Sequence, residues 1–265
     1  YHSYHEASGL NIFDGGVSVY LQDGTLKYSF GQRISLPDSI SASWVAFDKN
    51  NNIYISSIIL NSELNRIGTW TGENVTIFNN NKAYARKNVY DMSGNFLYSL
   101  LSTPEYITRD ANDNIYMKSG SAIQLLDKND TIINPNWKSA YYTLWLEASP
   151  KGYIYEWYNS NPYTIRKYDL NGNLVKSMVK KGRFAFDKQG NWYLVNTDLH
   201  RIEKYNSDDN LIYFFGSYGD GDYEFKFYDP MTNLTAGHIF VNGNGDLFVS
   251  DPFNNRLQVF TPVAE

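Results

Sequence analysis

Histidine and cysteine, two of the residues that bind metals, are scarce in this chain. It contains four histidines and no cysteine. Imidazole and carboxylate groups are usual ligands of catalytic divalent metals, so His200 and His238 are candidate ligands. Asp220 and Asp222 are candidate oxygen ligands for Ca²⁺, but Gly-Asp pairs are also ordinary turn residues. The sequence therefore predicts no obligatory cofactor, with Ca²⁺ or another divalent metal as the alternative.

Short motifs for nucleophilic or nucleotide chemistry are missing. The chain has no Gly-x-Ser-x-Gly elbow, no P-loop and no Gly-x-Gly-x-x-Gly turn, and these are the motifs that place a nucleophile or cradle a phosphate. The lack of cysteine excludes disulfides and thiol catalysis. A pair of catalytic carboxylates stays open, because a repeat fold can bring acidic residues together from any two repeats.

Aromatic side chains give the main signal for binding. The chain holds 23 Tyr, 15 Phe and 6 Trp. Trp and Tyr exposed on loops stack on sugars and anchor protein interfaces. Eight aromatic residues fall in segments that we predict to be loops, and these are the candidate ligand-binding residues: Trp70, Trp137, Tyr141, Tyr142, Trp157, Tyr158, Tyr218 and Tyr223. The alternative is that several of them fold inward and cover the ends of strands.

A repeated pattern predicts the elements that position these residues. A polar turn followed by a short hydrophobic run ending in Tyr or Phe occurs six times, with middle residues Ile12, Ile53, Ile115, Ile154, Trp192 and Leu247. Three of the intervals are about forty residues long, which is typical of β-propeller blades. A second strand in most copies ends at a hairpin turn rich in Gly, Asn or Asp, residues that tolerate positive φ. These turns lie at 22–24, 93–95, 128–130, 171–173 and 208–210.

The C-terminal part carries a more specific pattern. Phe215-Gly216 begins a glycine-rich segment, and Asp251, Asn254, Arg256 and Phe260 follow at fixed spacing. Together they resemble an NHL repeat, most specifically over about the last eighty residues. The resemblance implies an NHL-like six-bladed propeller and no particular activity. It also implies that Asp251, Arg201 and Arg256 brace loops to strands by charge-assisted hydrogen bonds.

The predicted fold is all-β: one domain, 1–265, forming a six-bladed β-propeller of four-stranded antiparallel blades. The approximate blades are 1–31, 37–101, 104–134, 144–179, 183–216 and 237–262, with insertions at 58–82 and 217–236. The last blade lacks a fourth strand of its own, and an open edge is a liability. We therefore predict that an N-terminal segment completes it, so that pairing of N- and C-terminal strands closes the ring.

Blade topology predicts where the long segments emerge. Loops between the second and third strands, and loops between blades, lie at the same end of an up-and-down propeller. Both insertions, the aromatic connector 135–142 and the loop after Trp157 all belong to that end. Elaborated loops on a rigid scaffold usually carry function.

Charge and composition limit the class of binding partner and the location of the protein. The net charge is −5 and the pI is about 5.4, which disfavours nucleic acid because a polyanion needs a basic face. No apolar run is long enough to span a bilayer. The composition is rich in Asn, Tyr and Gly, and the chain begins at Tyr1 rather than Met. We expect an extracellular or cell-surface protein, either a monomer or one domain of a longer protein from which a leader was removed.

The function predicted from these features is non-catalytic. The chain is expected to be a binding or scaffold module that recognises a glycan or a protein partner through the loop-elaborated face. The alternative is a metal-assisted lyase or hydrolase with its site at the mouth of the central tunnel.

Overall fold

The computed structural model contains β-strands and, within the part of the chain it describes, one 3₁₀ helix at Pro252–Asn254. It describes residues 4–7, 10–20, 26–35, 45–48, 50, 52–55, 58–61, 66–69, 75–78, 82–229, 234–235, 237–254 and 256–262. The chain forms two compact units. The first unit comprises 1–74 with 183–265, and the second comprises 75–182.

The N-terminal part of the first unit supplies seven strands. They are β1 (Tyr4–Ala7), β2 (Leu10–Tyr20), β3 (Leu26–Ser35), β4 (Val45–Phe47), β5 (Ile53–Ile55), β6 (Ile58–Leu60) and β7 (Arg66–Thr69). Strands β4 to β7 form a four-stranded antiparallel sheet in chain order. Strands β1 to β3 form an antiparallel meander.

The second unit consists of three four-stranded antiparallel sheets. The first contains β8 (Val75–Phe78), β9 (Lys82–Ala85), β10 (Asn88–Asp91) and β11 (Phe96–Ser99). The next contains β12 (Tyr106–Arg109), β13 (Ile115–Ser119), β14 (Ala122–Leu126) and β15 (Ile132–Ser139). The last contains β16 (Thr143–Ser149), β17 (Tyr153–Tyr158), β18 (Thr164–Tyr168) and β19 (Leu174–Val179). In each sheet, strands adjacent in the chain are adjacent in space.

The C-terminal part of the first unit begins with another four-stranded sheet. Its strands are β20 (Phe184–Phe186), β21 (Trp192–Asn196), β22 (Arg201–Tyr205) and β23 (Leu211–Phe215). Two short pairs follow: β24 (Ser217–Tyr218) with β25 (Glu224–Phe225), and β26 (Tyr228–Asp229) with β27 (Leu234–Thr235). The final strands are β28 (His238–Val241), β29 (Leu247–Asp251) and β30 (Arg256–Pro262).

The N-terminal meander joins the C-terminal strands in one six-stranded sheet of order β1-β2-β3-β30-β29-β28. Strand β3 pairs antiparallel with β30, from Ser35 opposite Arg256 to Tyr28 opposite Pro262. An N-terminal segment thus pairs with the last strand, as expected, but it is 26–35 rather than the first residues. The predicted separate blade at 1–31 is wrong, because its strands belong to this sheet.

The predicted insertion at 58–82 is also wrong. Strands β6 and β7 complete the sheet of 45–69, and β8 begins the sheet of 75–99. The expected blade at 37–101 is therefore two sheets. The third strand Ile58–Leu60 ends on an aliphatic residue, so it lacks the Tyr or Phe that lies near the end of most of the corresponding strands.

Side-chain-capped turns link many of the strands. In eight turns of the described chain, an Asp or Asn side chain accepts the backbone N–H groups two and four residues later. These turns are 48–52, 91–95, 110–114, 127–131, 169–173, 187–191, 206–210 and 242–246. The fourth residue has positive φ in seven of them, which explains the recurrence of Gly, Asn and Asp. The turns predicted at 93–95, 128–130, 171–173 and 208–210 are confirmed, and 22–24 lies outside the described residues.

Aromatic and aliphatic side chains from neighbouring sheets form the cores. In the second unit, one cluster joins Tyr116 and Ile123 of one sheet to Leu146 and Ile154 of the next. In the first unit, a cluster joins Val195 and Ile202 to Leu247, Val249 and Phe260. Many of the aromatic side chains in the described residues are therefore used for packing between sheets. No helix in the described residues has the length and apolar character needed to cross a membrane.

Candidate functional site

The turn between β15 and β16 presents two tyrosines. Thr143 N–H donates to Ala140 O at 3.2 Å, so Tyr141 and Tyr142 are the central residues of a four-residue turn. Tyr141 is 76% exposed and Tyr142 is 56% exposed. Residues at the centre of such a turn project away from the strands that it connects. Both tyrosines were predicted as binding residues, and both are accessible.

The loop between β17 and β18 lies beside this turn. Asn159 N–H donates to Tyr142 O at 2.8 Å and fixes the spacing between the two segments. The Ser160 hydroxyl donates to Pro162 O at 2.7 Å and lies 3.2 Å from Thr164 Oγ1. The loop is thus organised by its own backbone and by Ser160, while the side-chain amides of Asn159 and Asn161 are exposed.

An open cavity of about 370 Å³ lies between these segments. It is lined by Tyr142, Asn159, Ser160, Asn161 and Tyr163. This volume is at the lower end of the range of small-ligand sites, roughly 300–1,000 Å³. The lining combines two aromatic rings with two amides and a hydroxyl, and contains no charged side chain. We call it the tyrosine cavity.

Two of the predicted binding residues support the tyrosine cavity from behind. Tyr158 contacts Tyr142 edge-on, with 5.8 Å between ring centroids. The Arg166 guanidinium lies over the Tyr158 ring at 3.4 Å. Trp157 packs against Tyr163 at 6.1 Å. Trp157 and Tyr158 therefore hold the lining tyrosines in place and are not themselves part of the lining.

A buried carboxylate anchors the start of β16. Glu156 accepts hydrogen bonds from Thr143 Oγ1 and, at 2.8 Å, from Tyr168 OH. Burial, followed by the negative charge of Glu156, raises the pKa of Tyr168 well above its usual value. Because Thr143 follows Tyr142 directly, this network fixes the end of the turn that carries the cavity residues.

Trp137 is not a binding residue, which corrects the prediction. It is 9% exposed and packs edge-on against Tyr116 at 4.9 Å and Tyr168 at 6.3 Å. Its Nε1–H donates to Leu170 O at 3.0 Å. The predicted connector 135–142 belongs to strand β15 as far as Ser139, and Trp137 is the buried residue of that strand. Trp70, another predicted site residue, lies outside the described residues.

Tyr218 and Tyr223 belong to the first unit and are 58% and 45% exposed. The segment that carries them, 217–229, is tied down by buried charge. Arg256 donates to the carbonyls of Asp220, Gly221 and Glu224, and its Nε donates to Asp251 Oδ2 at 2.8 Å. The predicted bracing role of Asp251 and Arg256 is confirmed by these bonds.

The same segment is also packed. Phe225 and Phe227 are fully buried and stack at 4.8 Å. Gln258 donates to Glu224 O and accepts from Tyr223 N–H. The segment predicted as an inserted binding loop is therefore largely built into the first unit, although the side chains of Tyr218 and Tyr223 remain exposed.

The predicted metal candidates are engaged in other contacts. His200 Nδ1 accepts Phe227 N–H at 3.1 Å, and burial lowers its pKa. His238 Nδ1 lies 2.5 Å from Arg183 Nη1. Burial and then the Arg183 charge hold the pKa of His238 well below its usual value, so a neutral imidazole accepts this bond.

The acidic candidates show the same pattern. Asp220 is largely exposed, and its Oδ2 lies 3.6 Å from Lys226 Nζ. Asp222 is partly exposed in the same segment. Within the described side chains, no group of three or more His, Asp or Glu residues is arranged to hold a metal ion.

One carboxyl group outside the tyrosine cavity is strongly perturbed. Burial raises the pKa of the Glu147 carboxyl to about 8, against a weaker opposing effect of its bond from Thr108 Oγ1 at 3.5 Å. Thr108 Oγ1 in turn accepts Ala148 N–H at 2.9 Å. Glu147 is therefore protonated at neutral pH, and perturbed carboxyl groups of this kind are candidates for acid–base chemistry.

Sequence reasoning missed four residues of the tyrosine cavity: Asn159, Ser160, Asn161 and Tyr163. A signal was present, since Asn159 to Tyr163 follows an aromatic strand and holds two Asn and a Pro. Asn and Pro usually indicate only a turn. Their proximity to Tyr142 depends on the bond between Asn159 and Tyr142, which no spacing in the sequence reveals.

Comparisons with solved structures define the fold. An auxiliary nutrient binding protein from Bacteroides ovatus has 12% identity over 97% of this chain and 77% of its own, with a TM-score of 0.61. A gluconolactonase from Xanthomonas campestris has 11% identity over 98% and 97%, with a TM-score of 0.62. The WD40 β-propeller domain of Doa1 has 13% identity over 96% and 90%, with a TM-score of 0.56.

These likenesses show that the chain has a β-propeller fold. Identities this low carry the fold and no activity. No family model matches the chain, and no curated protein matches it. The resemblance to NHL repeats therefore stays a prediction.

Proposed function

We propose that this chain is a non-catalytic binding module that takes a glycan in the tyrosine cavity. The observation that carries the proposal is the lining itself: Tyr142 and Tyr163 beside the polar groups of Asn159, Ser160 and Asn161. Sugar rings have an apolar face that packs on aromatic rings and an edge of hydroxyls that binds amides. One cavity offers both kinds of contact.

Support from behind favours a preorganised site. Tyr142 is backed by Tyr158 and Arg166, and Tyr163 is backed by Trp157. Rings held by packing lose little freedom when a ligand binds, so more of the contact energy contributes to affinity. A tyrosine on an ordinary solvent-exposed surface needs no such packing behind its ring.

The wider setting of the proposal is a six-bladed propeller closed by the β3–β30 pairing and acting at the cell surface. The similarity to an auxiliary nutrient binding protein from Bacteroides ovatus supports a ligand-binding role. A protein partner on the same tyrosines is the competing ligand class, because exposed Tyr also anchors protein interfaces.

The test is a glycan array probed with the full chain and with three variants. Tyr142→Ala and Tyr163→Ala are each expected to lose about tenfold or more in affinity, since each removes a stacking contact of about 1.4 kcal/mol or more. Tyr141→Ala is the matched control, because it is exposed in the same turn but does not line the cavity. Unchanged binding by both cavity variants would contradict the proposal.

The alternative function is metal-assisted hydrolysis or elimination. It is favoured by the similarity to a gluconolactonase and by the protonated Glu147. Elemental analysis of the purified protein separates the two functions. A stoichiometric divalent metal that is lost in His200→Ala or His238→Ala would support the enzyme, and a metal content at background would leave the binding module as the better account.

A further inference from the structure

The class of glycan follows from the hydrogen-bonding capacity of the tyrosine cavity. Within the described residues, the side-chain amides of Asn159 and Asn161 make no hydrogen bond, although the backbone N–H of Asn159 is used by Tyr142 O. Each amide therefore keeps a carbonyl acceptor and two N–H donors for a ligand. The Ser160 hydroxyl is different, because it already donates to Pro162 O.

A carboxamide is matched to a pair of neighbouring hydroxyls. Its oxygen accepts from one hydroxyl while its nitrogen donates to the other, so both partners are satisfied without any net charge. Asn159 and Asn161 offer this group twice, two residues apart on one loop. A chain of 1,4-linked sugar rings presents such hydroxyl pairs, the 2- and 3-hydroxyls, on successive rings, whereas the interior rings of a 1,3-linked chain do not.

The charge of the lining argues against acidic sugars. No Lys, Arg or His lines the cavity. Arg166 stacks on Tyr158, and Lys181 Nζ lies 5.7 Å from the centroid of the Tyr163 ring. A carboxylate or sulfate placed in the cavity would give up hydration without a cation in the lining to replace it. A neutral ligand has no such cost.

We propose that the tyrosine cavity selects a neutral oligosaccharide, whose rings pack on Tyr142 and Tyr163 and whose vicinal hydroxyls bind the amides of Asn159 and Asn161. This inference rests on the proposed glycan-binding function and deepens it. It assigns Asn159 and Asn161 as the residues that determine specificity. Lys181 is the cation that would matter if the ligand were acidic.

The experiment is isothermal titration of the full chain with six-residue oligosaccharides. The neutral probes are cellohexaose, laminarihexaose, mannohexaose and xylohexaose, and the acidic probes are hexagalacturonate and a hyaluronan hexasaccharide. At least one neutral probe is expected to bind more tightly than either acidic probe. Its affinity should stay within about twofold between low and high salt, because screening affects only charged contacts.

Variants locate the selectivity. Asn159→Ala and Asn161→Ala are each expected to lower the affinity for the neutral probe about fivefold to tenfold, in line with one lost hydrogen-bonding group. Asn171→Ala is the matched control, since Asn171 is an exposed turn residue of the same unit that does not line the cavity. Circular dichroism of each variant verifies that the fold is retained.

The outcomes separate this inference from the proposed function. Tighter binding of an acidic probe, with loss of that binding in Lys181→Met, would overturn the neutral class and leave glycan binding standing. Neutral binding that is unaffected in Asn159→Ala and Asn161→Ala would overturn the role of the two amides. Failure of every probe to bind would remove both proposals.

Discussion

Two segments of this protein look alike in sequence and differ in what the fold does with them. The segment 217–229 of the first unit and the loops around 140–142 and 159–163 of the second are all rich in tyrosine and polar residues. In the first, Arg256 and Gln258 bind the backbone carbonyls, and Phe225 and Phe227 enter the core. In the second, tyrosine rings and asparagine amides are left facing a cavity.

Loop composition alone therefore does not identify a binding site. The deciding property is whether the scaffold already uses the polar groups and rings of the loop. Buried charge makes the segment 217–229 a part of the structure. The tyrosine cavity has its charged and buried groups, Arg166 and Glu156, one layer behind the surface residues.

The largest expected effect on the free energy of unfolding is that of replacing Arg256. This side chain is 3% exposed, and Asp251 is fully buried. Arg256→Met leaves a buried carboxylate without its cation and removes one donor from each of three carbonyls, so we expect a loss of about 3–5 kcal/mol in the free energy of unfolding. Urea denaturation measures it. Lys188→Met, at an exposed position, is the control and should change stability by less than about 0.5 kcal/mol.

Two aromatic residues of the second unit test the same contrast within one unit. Trp137→Ala should lower the free energy of unfolding by about 3–4 kcal/mol, because it opens a void between Tyr116 and Tyr168. Tyr142→Ala should lower it by about 1 kcal/mol or less, because the ring is 56% exposed. Equal losses in the two variants, measured by urea denaturation, would contradict the division into structural and binding aromatics.

The next largest effect on stability comes from the close approach of the Gly216 backbone to the Phe225 ring. Gly216 has φ +99°, and a Cβ there would lie 2.5 Å from a ring carbon of Phe225. Gly120 has φ +60° and open space around the same position. Gly216→Ala should therefore cost about 1–3 kcal/mol more than Gly120→Ala, because both share the conformational cost and only the first has the overlap. Similar melting temperatures for the two variants would mean that the segment after Gly216 is not held against Phe225.

A pH-dependent effect concerns two carboxyls that the protein treats differently. Asp251 is paired with Arg256, while burial raises the pKa of Glu147 to about 8. The ordinary pKa of Glu147 is 4.5, so between about 4.5 and 8 the folded state binds the proton more tightly. The stability that Glu147 contributes is thus fully present below pH 4.5 and is lost as the pH rises through 8. Glu147→Gln should flatten this decline, as measured by urea denaturation at pH 5, 7 and 9. A decline of the same slope in the variant would exclude Glu147 as its source.

Much of the fold could be predicted from local patterns. Short apolar runs such as Trp192 to Asn196, and turns such as 169–173, have their signals within a few residues. The boundaries between sheets were harder to predict. Strand Ile58–Leu60 has no Tyr or Phe at its end, so the sequence indicates an insertion at the point in the chain where one sheet ends and the next begins.

The candidate site was predictable only in part. Tyr142 was identified, because an aromatic pair in a connector is unusual. Trp137, five residues earlier, was predicted to be exposed, but its burial depends on partners as distant in the chain as Tyr168. Asn159 and Tyr163 line the cavity only because two loops pack together. This contact is part of the tertiary structure and has no local signal in the sequence.

The most direct test of the central claim is a crystal structure of the full chain soaked with the neutral oligosaccharide that binds most tightly. We expect a sugar ring packed on Tyr142 or Tyr163, with adjacent hydroxyls within hydrogen-bonding distance of Asn159 or Asn161. A sugar bound elsewhere on the protein, with the tyrosine cavity free of it, would contradict the account.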